Sequence, residues 1–293
     1  MQLGESLKTA ILALAAERVP SPRLNAELLL MFTLGCDRAY LYGHPEKELT
    51  ADQALGYQRA LAQRLSGIPA QYITGHQEFW GMDLLVSPAV LIPRPETEHV
   101  VERVLELMAD WRGRHPRGPA EIEEYTPRVV DVGTGSGCIA LALAKELPEV
   151  EIHATDISAE ALDIARTNAR RLGLQGRVAF HQTDLLTGLE DRPFDTVVSN
   201  PPYVGLAEED QVQLEVRKFE PRSAVFAGES GLEVIHRLVP QARRALKPGG
   251  WLVMEISGTI VEGAQKAVAG WNQVQVLPDL QSIPRVVSAQ RPS

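Results

Sequence analysis

Apolar residues recur at helical spacing through the first 70 positions. Leu3, Leu7, Ile11, Leu12 and Leu14 form one series, and Leu24, Leu28, Leu29 and Met31 form another, the period of amphipathic helices. Ser21-Pro22 and Asn25 supply helix-start chemistry, while Gly35, Gly43-His44-Pro45 and Gly67-Ile68-Pro69 supply stops. Thr50 with Gln53 three positions on predicts a capping box for a helix reaching about Ser66. From Gly75 to Pro95 the period shortens. Glu78-Phe-Trp-Gly-Met-Asp-Leu-Leu-Val-Ser-Pro predicts a short hairpin about Gly81, and Pro88, Pro93 and Pro95 stiffen its exit. A helix is expected from near Glu96 to Trp111, followed by a polar, turn-rich loop over 112–119.

Beyond Pro127 short apolar runs alternate with amphipathic stretches. The runs are Val129-Val130, Glu151-Ile-His-Ala-Thr, Val178-Ala-Phe, Thr196-Val-Val and Trp251-Leu-Val-Met-Glu-Ile; helices are predicted over 138–147, 158–172, 230–246 and 260–269. Such alternation implies an α/β fold whose mostly parallel sheet is covered on both faces. Residues 274–287 hold two β-rich pieces about Pro278 and Pro284, too short for an intervening helix, so an antiparallel hairpin at the sheet edge is expected. Three parts follow: a helical domain over 1–74, a hairpin linker over 75–95 and an α/β domain over 96–293.

Composition narrows the function classes. With 44% hydrophobic and 23% charged residues, the 293-residue chain has the apolar content of a folded protein. The net charge is −9, and residues 1–80 carry 7 Lys/Arg against 8 Asp/Glu, so nearly all the excess lies in the α/β part. A chain-wide basic footprint for nucleic acid is missing, and no direct nucleic-acid partner is expected. No run approaches the ~18 apolar residues of a membrane span, and the N-terminus lacks a basic-then-apolar leader layout because Glu5 and Lys8 interrupt it. Two cysteines, Cys36 and Cys138, cannot build a disulfide framework or a zinc spacing. A cytoplasmic protein without a metal site is the expectation; Cys138 is read as core filler and Cys36 as buried near a turn.

Asp131-Val-Gly-Thr-Gly-Ser-Gly follows the first strand of the α/β part. Glycines at 133, 135 and 137 allow a sharp turn and a close ligand approach, and the helix beginning near Cys138 aims free N–H groups into the same space. The dinucleotide pattern G-x-G-x-x-G/A fails at Cys138 and the P-loop G-K-[ST] is absent. The remaining D-x-G-x-G-x-G is similar to the opening of S-adenosyl-L-methionine-dependent methyltransferases. Gly133, Thr134, Gly135, Ser136 and Gly137 are then candidate cofactor-binding residues. The second strand ends in Asp156, placed to accept ribose hydroxyls or, alternatively, to start the next helix, where Ser158 is an equally good cap. Asp184 and Leu185, after the third strand, are candidates for flanking the adenine. The fourth strand runs into Asn200-Pro201-Pro202-Tyr203. Proline removes a backbone donor and biases its predecessor to extended geometry. The Asn200 carboxamide and the Pro201 carbonyl become a rigid acceptor pair for a planar NH2 group, with Tyr203 offering an aromatic face. Asn200 is thereby a candidate at both the cofactor and the substrate.

N-P-P-Y behind D-x-G-x-G-x-G is shared by N6-adenine methyltransferases and protein-glutamine N5-methyltransferases. Phe79-Trp80, Val86-Ser-Pro-Ala, Leu91-Ile-Pro-Arg-Pro-Glu-Thr-Glu and Glu220-Pro-Arg-Ser-Ala-Val-Phe-Ala-Gly-Glu-Ser-Gly-Leu resemble segments of the peptide chain release factor glutamine methyltransferases. The similarity runs from about residue 5 to 290. It departs from the family pattern at Glu255-Ile-Ser-Gly-Thr-Ile and at Asp279-Leu-Gln-Ser-Ile-Pro-Arg-Val. The resemblance implies a Rossmann-like class I fold, with a seven-stranded, mostly parallel sheet, beside a substrate-gripping helical domain. It also implies S-adenosyl-L-methionine as cofactor and class I release factors as protein partners. Asn200, Pro201 and Tyr203 are the implied catalytic residues, with Pro202 and Arg94 also meeting substrate and Glu98 near the pocket mouth. A ribosomal-protein glutamine and an adenine amine are the alternative acceptors.

Overall fold

The computed structural model describes residues 1–114, 126–189 and 193–293. The chain opens with helices α1 (Leu3–Ala16), α2 (Pro22–Leu34), α3 (Arg38–Gly43), α4 (Ala51–Leu65) and α5 (Ala70–Thr74), then strands β1 (His76–Phe79) and β2 (Met82–Leu85). A 3-10 turn over Pro95–Thr97 leads into α6 (Glu98–Arg114). There follow β3 (Arg128–Val132), α7 (Cys138–Glu146), β4 (Glu151–Asp156), α8 (Ala159–Arg171), β5 (Val178–Gln182), β6 (Phe194–Ser199) and β7 (Val204–Gly205). The last third holds α9 (Leu214–Phe219), α10 (Arg222–Val225), β8 (Phe226–Gly228), α11 (Glu233–Ala245), β9 (Leu246–Glu255), α12 (Val261–Ala267), β10 (Asn272–Pro278) and β11 (Pro284–Gln290). Helix α6 runs three residues past Trp111, since a single glycine costs a helix only about 1 kcal/mol and the first proline comes at Pro116; the rest of the expected 112–119 loop lies outside the described residues.

Two compact units form: Met1–His76 with Leu214–Phe219, and Gln77–Gln213 with Glu220–Ser293. In the first, Leu3, Leu7, Ala10 and Leu14 of α1 pack with Ala26, Leu29 and Leu30 of α2, Leu41, Tyr57, Ala60 and Ala70. Leu12 and Leu24 face solvent. The capping box at α4 is complete: Gln53 N–H donates to Thr50 Oγ1 (3.2 Å) and Thr50 N–H to Gln53 Oε1 (3.0 Å). Ser21 behaves differently from expectation. It adopts a left-handed conformation (φ +47°) with no side-chain cap, leaving Pro22 to start α2. Cys36 is half-buried. Arg64 is buried, its guanidinium donating to Asn25 Oδ1 (2.7 Å), the Ile68 carbonyl (3.2 Å) and Glu215 Oε2 (2.6 Å) of α9.

The second unit holds, among the described residues, a seven-stranded sheet of order β10-β11-β9-β6-β3-β4-β5. Strands β9, β6, β3, β4 and β5 are parallel, and β11 and β10 add an antiparallel edge. The period of two along the strands divides the core. Val129, Trp251, Val253 and Val286 join one apolar cluster; Val130, Val132, Leu252, Met254 and Val287 join the other. Helices cover both faces. Strands β1 and β2 turn through Trp80 (φ +54°) and Gly81 (φ +65°), two consecutive left-handed residues, as a tight hairpin turn requires.

One buried side chain ties this hairpin to the sheet. Asn168 of α8 accepts from Leu85 N–H (2.7 Å) and donates to the carbonyls of Leu85 (3.0 Å) and Ser136 (2.9 Å). Replacing it strands three backbone groups at once, the Ser136 carbonyl fully buried. Asn168→Ala is expected to lower the unfolding free energy by about 3 kcal/mol, at roughly 1 kcal/mol per lost bond, as read from chemical denaturation.

Candidate active site

The chain leaves β3 to build β4 and β5 on one side, then returns to lay β6 and β9 on the other. This makes the carboxyl ends of β3 and β6 a topological switch point, where ligands of parallel sheets bind. The loops at that point are 133–137 and 200–203. Gly133, Gly135 and Gly137 all have positive φ (+73°, +55° and +86°). Only at Gly137 does packing also forbid a Cβ, which would stand 3.1 Å from Leu141 and 3.2 Å from Ala165; Gly133 and Gly135 face open space. Asp131 is buried beneath the loop, its Oδ2 accepting from Thr134 Oγ1 (2.6 Å) and Ala140 N–H (3.2 Å). Its Oδ1 and the Ser136 Oγ are buried without a partner among the described residues. Burial pushes the Asp131 carboxyl up to about 7, against the pull of those two hydrogen bonds.

At the β4 terminus the structure decides the helix cap. Ser158 caps α8 through Ala161 N–H (3.1 Å), so Asp156 is not needed as cap. Asp156 instead accepts from Gly135 N–H (2.9 Å) and Ser158 N–H (2.9 Å), locking the carboxylate to the glycine loop. Asp184 pairs with Arg237 of α11, and Leu185 turns through a left-handed conformation (φ +54°).

In the 200–203 loop, Asn200 Nδ2 donates to Thr97 Oγ1 (3.1 Å). Tyr203 packs its ring against the second apolar cluster and donates its hydroxyl to Glu255 Oε1 (3.2 Å). Burial and the neighbouring Glu255 charge raise its pKa. Glu255 ends β9 fully buried, and burial pushes its carboxyl up to about 7. The 220–232 segment braces this loop. Gly231 (φ +80°) passes so close that a Cβ would lie 2.5 Å from the Tyr203 carbonyl oxygen. Glu220, also buried, accepts from Ile92 N–H (3.1 Å) and pairs with Arg94. Glu98 accepts from Trp80 N–H (2.8 Å).

One cavity gathers most of the candidates: Gly133, Thr134, Gly135, Ser136, Asp156, Asp184, Leu185, Asn200 and Pro202 line it. Gly137, Pro201, Tyr203 and Arg94 are not among its lining residues; Tyr203 and Arg94 are turned to Glu255 and Glu220. Half-buried Cys138 lines the cavity rather than only filling core.

Residues 5–75 match the PrmC N-terminal domain, and residues 120–218 match the methyltransferase small domain. The release factor glutamine methyltransferase of Koribacter versatilis is 53% identical, the match covering 100% of each chain. That of Moorella thermoacetica is 42% identical over 99% of each. The chain belongs to the release factor glutamine methyltransferases. Its fold is also that of the hMettl16 catalytic domain, solved in complex with MAT2A 3'UTR hairpin 6 (TM-score 0.54, 16% identity, 82% of each chain). At that identity the likeness is one of fold alone.

Membership in a methyltransferase family whose chemistry uses S-adenosylmethionine agrees with the donor set. Positive-φ glycines facing open space, a tethered Asp156 carboxylate and the buried Ser136 hydroxyl fit an adenosyl amino acid. Sequence reasoning missed Ile157, Arg237 and the roles of Thr97 and Glu255. Ile157 had a signal: it is an apolar residue directly after a strand-end carboxylate, lies 64% exposed and lines the cavity. Arg237 reaches the site from α11, and no local spacing announces it.

Asp131 makes stability depend on pH in a defined direction. Its folded pKa is about 7 against an ordinary 3.8. Between those values the folded state holds a proton that the unfolded state has released, so stability falls as pH rises. Thermal unfolding should show this decline in the native protein and a shallower one in Asp131→Asn.

Proposed function

We propose that the chain moves the methyl group of S-adenosylmethionine onto the side-chain nitrogen of the glutamine in the Gly-Gly-Gln loop of class I release factors. The observation that carries this reading is the orientation of Asn200. Its Nδ2 is committed to Thr97, which leaves Oδ1 as the acceptor for the cavity that Asn200 lines. Pro202, which lines the cavity beside it, contributes no N–H, so this stretch of wall accepts hydrogen bonds and suits an NH2 group.

When bound, the cofactor supplies a methyl group activated by a sulfonium. Gly133, Thr134, Gly135 and Ser136 would hold its amino-acid portion, with Gly137 shaping the turn, Asp156 would accept the ribose hydroxyls, and Asp184 and Leu185 would flank the base. A glutamine nitrogen is a poor nucleophile because its lone pair is delocalised into the carbonyl. Asn200 Oδ1 and the Pro201 carbonyl accept its two hydrogens and hold the nitrogen for attack. They also stabilise the positive charge that develops on nitrogen, an effect concentrated in the transition state. The surplus proton then leaves to water. Tyr203 anchors the same loop from behind, its hydroxyl donating to Glu255. The helical unit offers apolar surface for a protein partner: Leu24 and Tyr42 are exposed and line one surface depression.

Mass spectrometry of a release factor incubated with enzyme and cofactor tests the reading. One methyl gained on the Gly-Gly-Gln glutamine supports it, and a modified carbon, oxygen or adenine refutes it. Asn200→Ala is expected to bind cofactor normally and lose on the order of 10²–10³ in kcat, as when one transition-state hydrogen bond is deleted. Asp156→Ala should chiefly weaken cofactor affinity; unchanged binding in a calorimetric titration removes Asp156 from the site.

A further inference from the structure

We infer that Glu220 is a positioning residue for the acceptor: it fastens together two stretches of cavity wall on the Asn200 side and holds the Arg94 charge apart from them, so that the site admits a neutral carboxamide; this rests on the reaction proposed above. Leu91 and Pro93 line the cavity from one stretch, and Pro221, Ser223 and Ala224 line it from the other. The first stretch is set beside the acceptor loop by Thr97, whose hydroxyl receives the Asn200 Nδ2–H at 3.1 Å. Glu220 joins the stretches across 128 positions of chain. Its side chain is 1% exposed, and burying a carboxylate is costly unless it is paired and hydrogen-bonded. Both of its oxygens are engaged. Oε2 accepts from the Ile92 N–H at 3.1 Å, between the lining residues Leu91 and Pro93, and Oε1 pairs with the Arg94 guanidinium.

This clasp fixes both shape and charge. Pro221 follows Glu220 directly, so the carboxylate decides where the second wall starts, and the rings of Pro93 and Pro221 lock φ in both walls. The lining side chains of the two stretches carry one hydroxyl, that of Ser223, and no charge. Arg222, between Pro221 and Ser223, pairs with Glu209 at 2.6 Å, and Arg94 pairs with Glu220. Neither arginine lines the cavity, and each is matched by a carboxylate. A neutral amide needs no counter-charge, whereas a charged side chain between these walls would be desolvated without one. Removing the Glu220 charge alone upsets this balance. Glu220→Gln keeps one oxygen for the Ile92 N–H but turns its NH2 to the guanidinium, donor to donor. The Arg94 charge is then unmatched, one residue from Pro93.

Glu220→Gln, Arg94→Gln and their double variant test the clasp against two acceptors: a class I release factor, and the same factor carrying Glu in place of its Gly-Gly-Gln glutamine. Binding is measured on enzyme loaded with S-adenosylhomocysteine, so that no turnover intervenes. The native enzyme should bind the Glu form at least about tenfold more weakly, the penalty of an unmatched buried charge. Glu220→Gln should narrow that gap at least about threefold and Arg94→Gln should widen it, since one leaves a cation and the other an anion unpaired. The double variant, neutral at both positions, should return the gap to within about twofold of native. It should also unfold at a higher temperature than either single variant, because breaking a buried pair costs more than replacing it whole. In turnover, Glu220→Gln should lower kcat/KM for the release factor on the order of 10- to 100-fold, the scale on which misplaced groups slow reactions, with cofactor affinity within about twofold of native. A gap that both single variants leave unchanged or move in the same direction overturns the inference. So do native kcat/KM in Glu220→Gln and unfolding losses that add in the double variant. If a single variant fails to fold while the double one folds, the pairing is upheld; a double variant that also fails overturns it. A native enzyme that binds the factor yet methylates no glutamine refutes the proposed reaction, and the binding gap and the unfolding order still judge the clasp.

Discussion

A buried hydrogen bond between two strand ends sets the geometry from which the site is built. Ser199 Oγ donates to the Val132 carbonyl at 2.7 Å, and these two residues are register partners at the last paired position of β6 and β3. Gly133 and Asn200 are the next residues of each strand, so the glycine loop and the Asn-Pro-Pro-Tyr loop start side by side. A slip of one residue turns every side chain of a strand to its other face. Strand β3 carries valine on both faces, Val129 in one core cluster and Val130 and Val132 in the other, so the slip is opposed by its buried polar residue Asp131, whose hydrogen bonds to Thr134 and Ala140 a shift breaks. The closeness of the 133–137 and 200–203 loops is thus a consequence of strand register.

Around this junction the fold buries polar side chains in places where backbone would otherwise be left unpaired. Asn168 joins the β2 edge to the glycine loop, Glu220 joins the Ile92 backbone to Arg94, and Asp131 lies under Thr134 and Ala140. Inside a low-dielectric core such networks rigidify what they touch when satisfied and are costly when broken. The glycines add a complementary constraint. Gly231 lets a second backbone cross the Tyr203 carbonyl where any side chain would collide, so the loop carrying Asn200 is confined by strand pairing on one side and by close backbone packing on the other. The proposed reaction would gain from such stiffness, because acceptors stabilise developing charge best when they need not reorganise.

Much of this was legible along the chain, and the reasons are local. The capping box at Thr50 and Gln53 spans one helical turn, so spacing alone predicts it. Gly81 in the hairpin turn and Gly133, Gly135 and Gly137 in the loop after β3 are glycines, whose tolerance of positive φ travels with the residue. The alternation of apolar runs and amphipathic stretches announces a parallel sheet because covering both faces demands it. Ser21 shows where local reasoning stops: its identity suits a helix cap, yet its backbone is left-handed and Pro22 opens the helix.

What the amino-acid order determined by itself is the set of elements, their periodicity, and the chemistry of two loops that fall at a sheet switch point. It left undecided which way side chains of those loops turn, because each direction is chosen by a partner far along the chain. Tyr203 turns to Glu255, Arg94 to Glu220, Asp184 to Arg237 and Asn200 to Thr97. The placing of Leu214–Phe219 with the helical unit, where Glu215 meets the buried Arg64, belongs to the same class. Backbone preference acts over a few residues and is written in neighbouring side chains. The pairing of buried charges and amides is settled only when strands from distant positions come together, and there the tertiary structure decides.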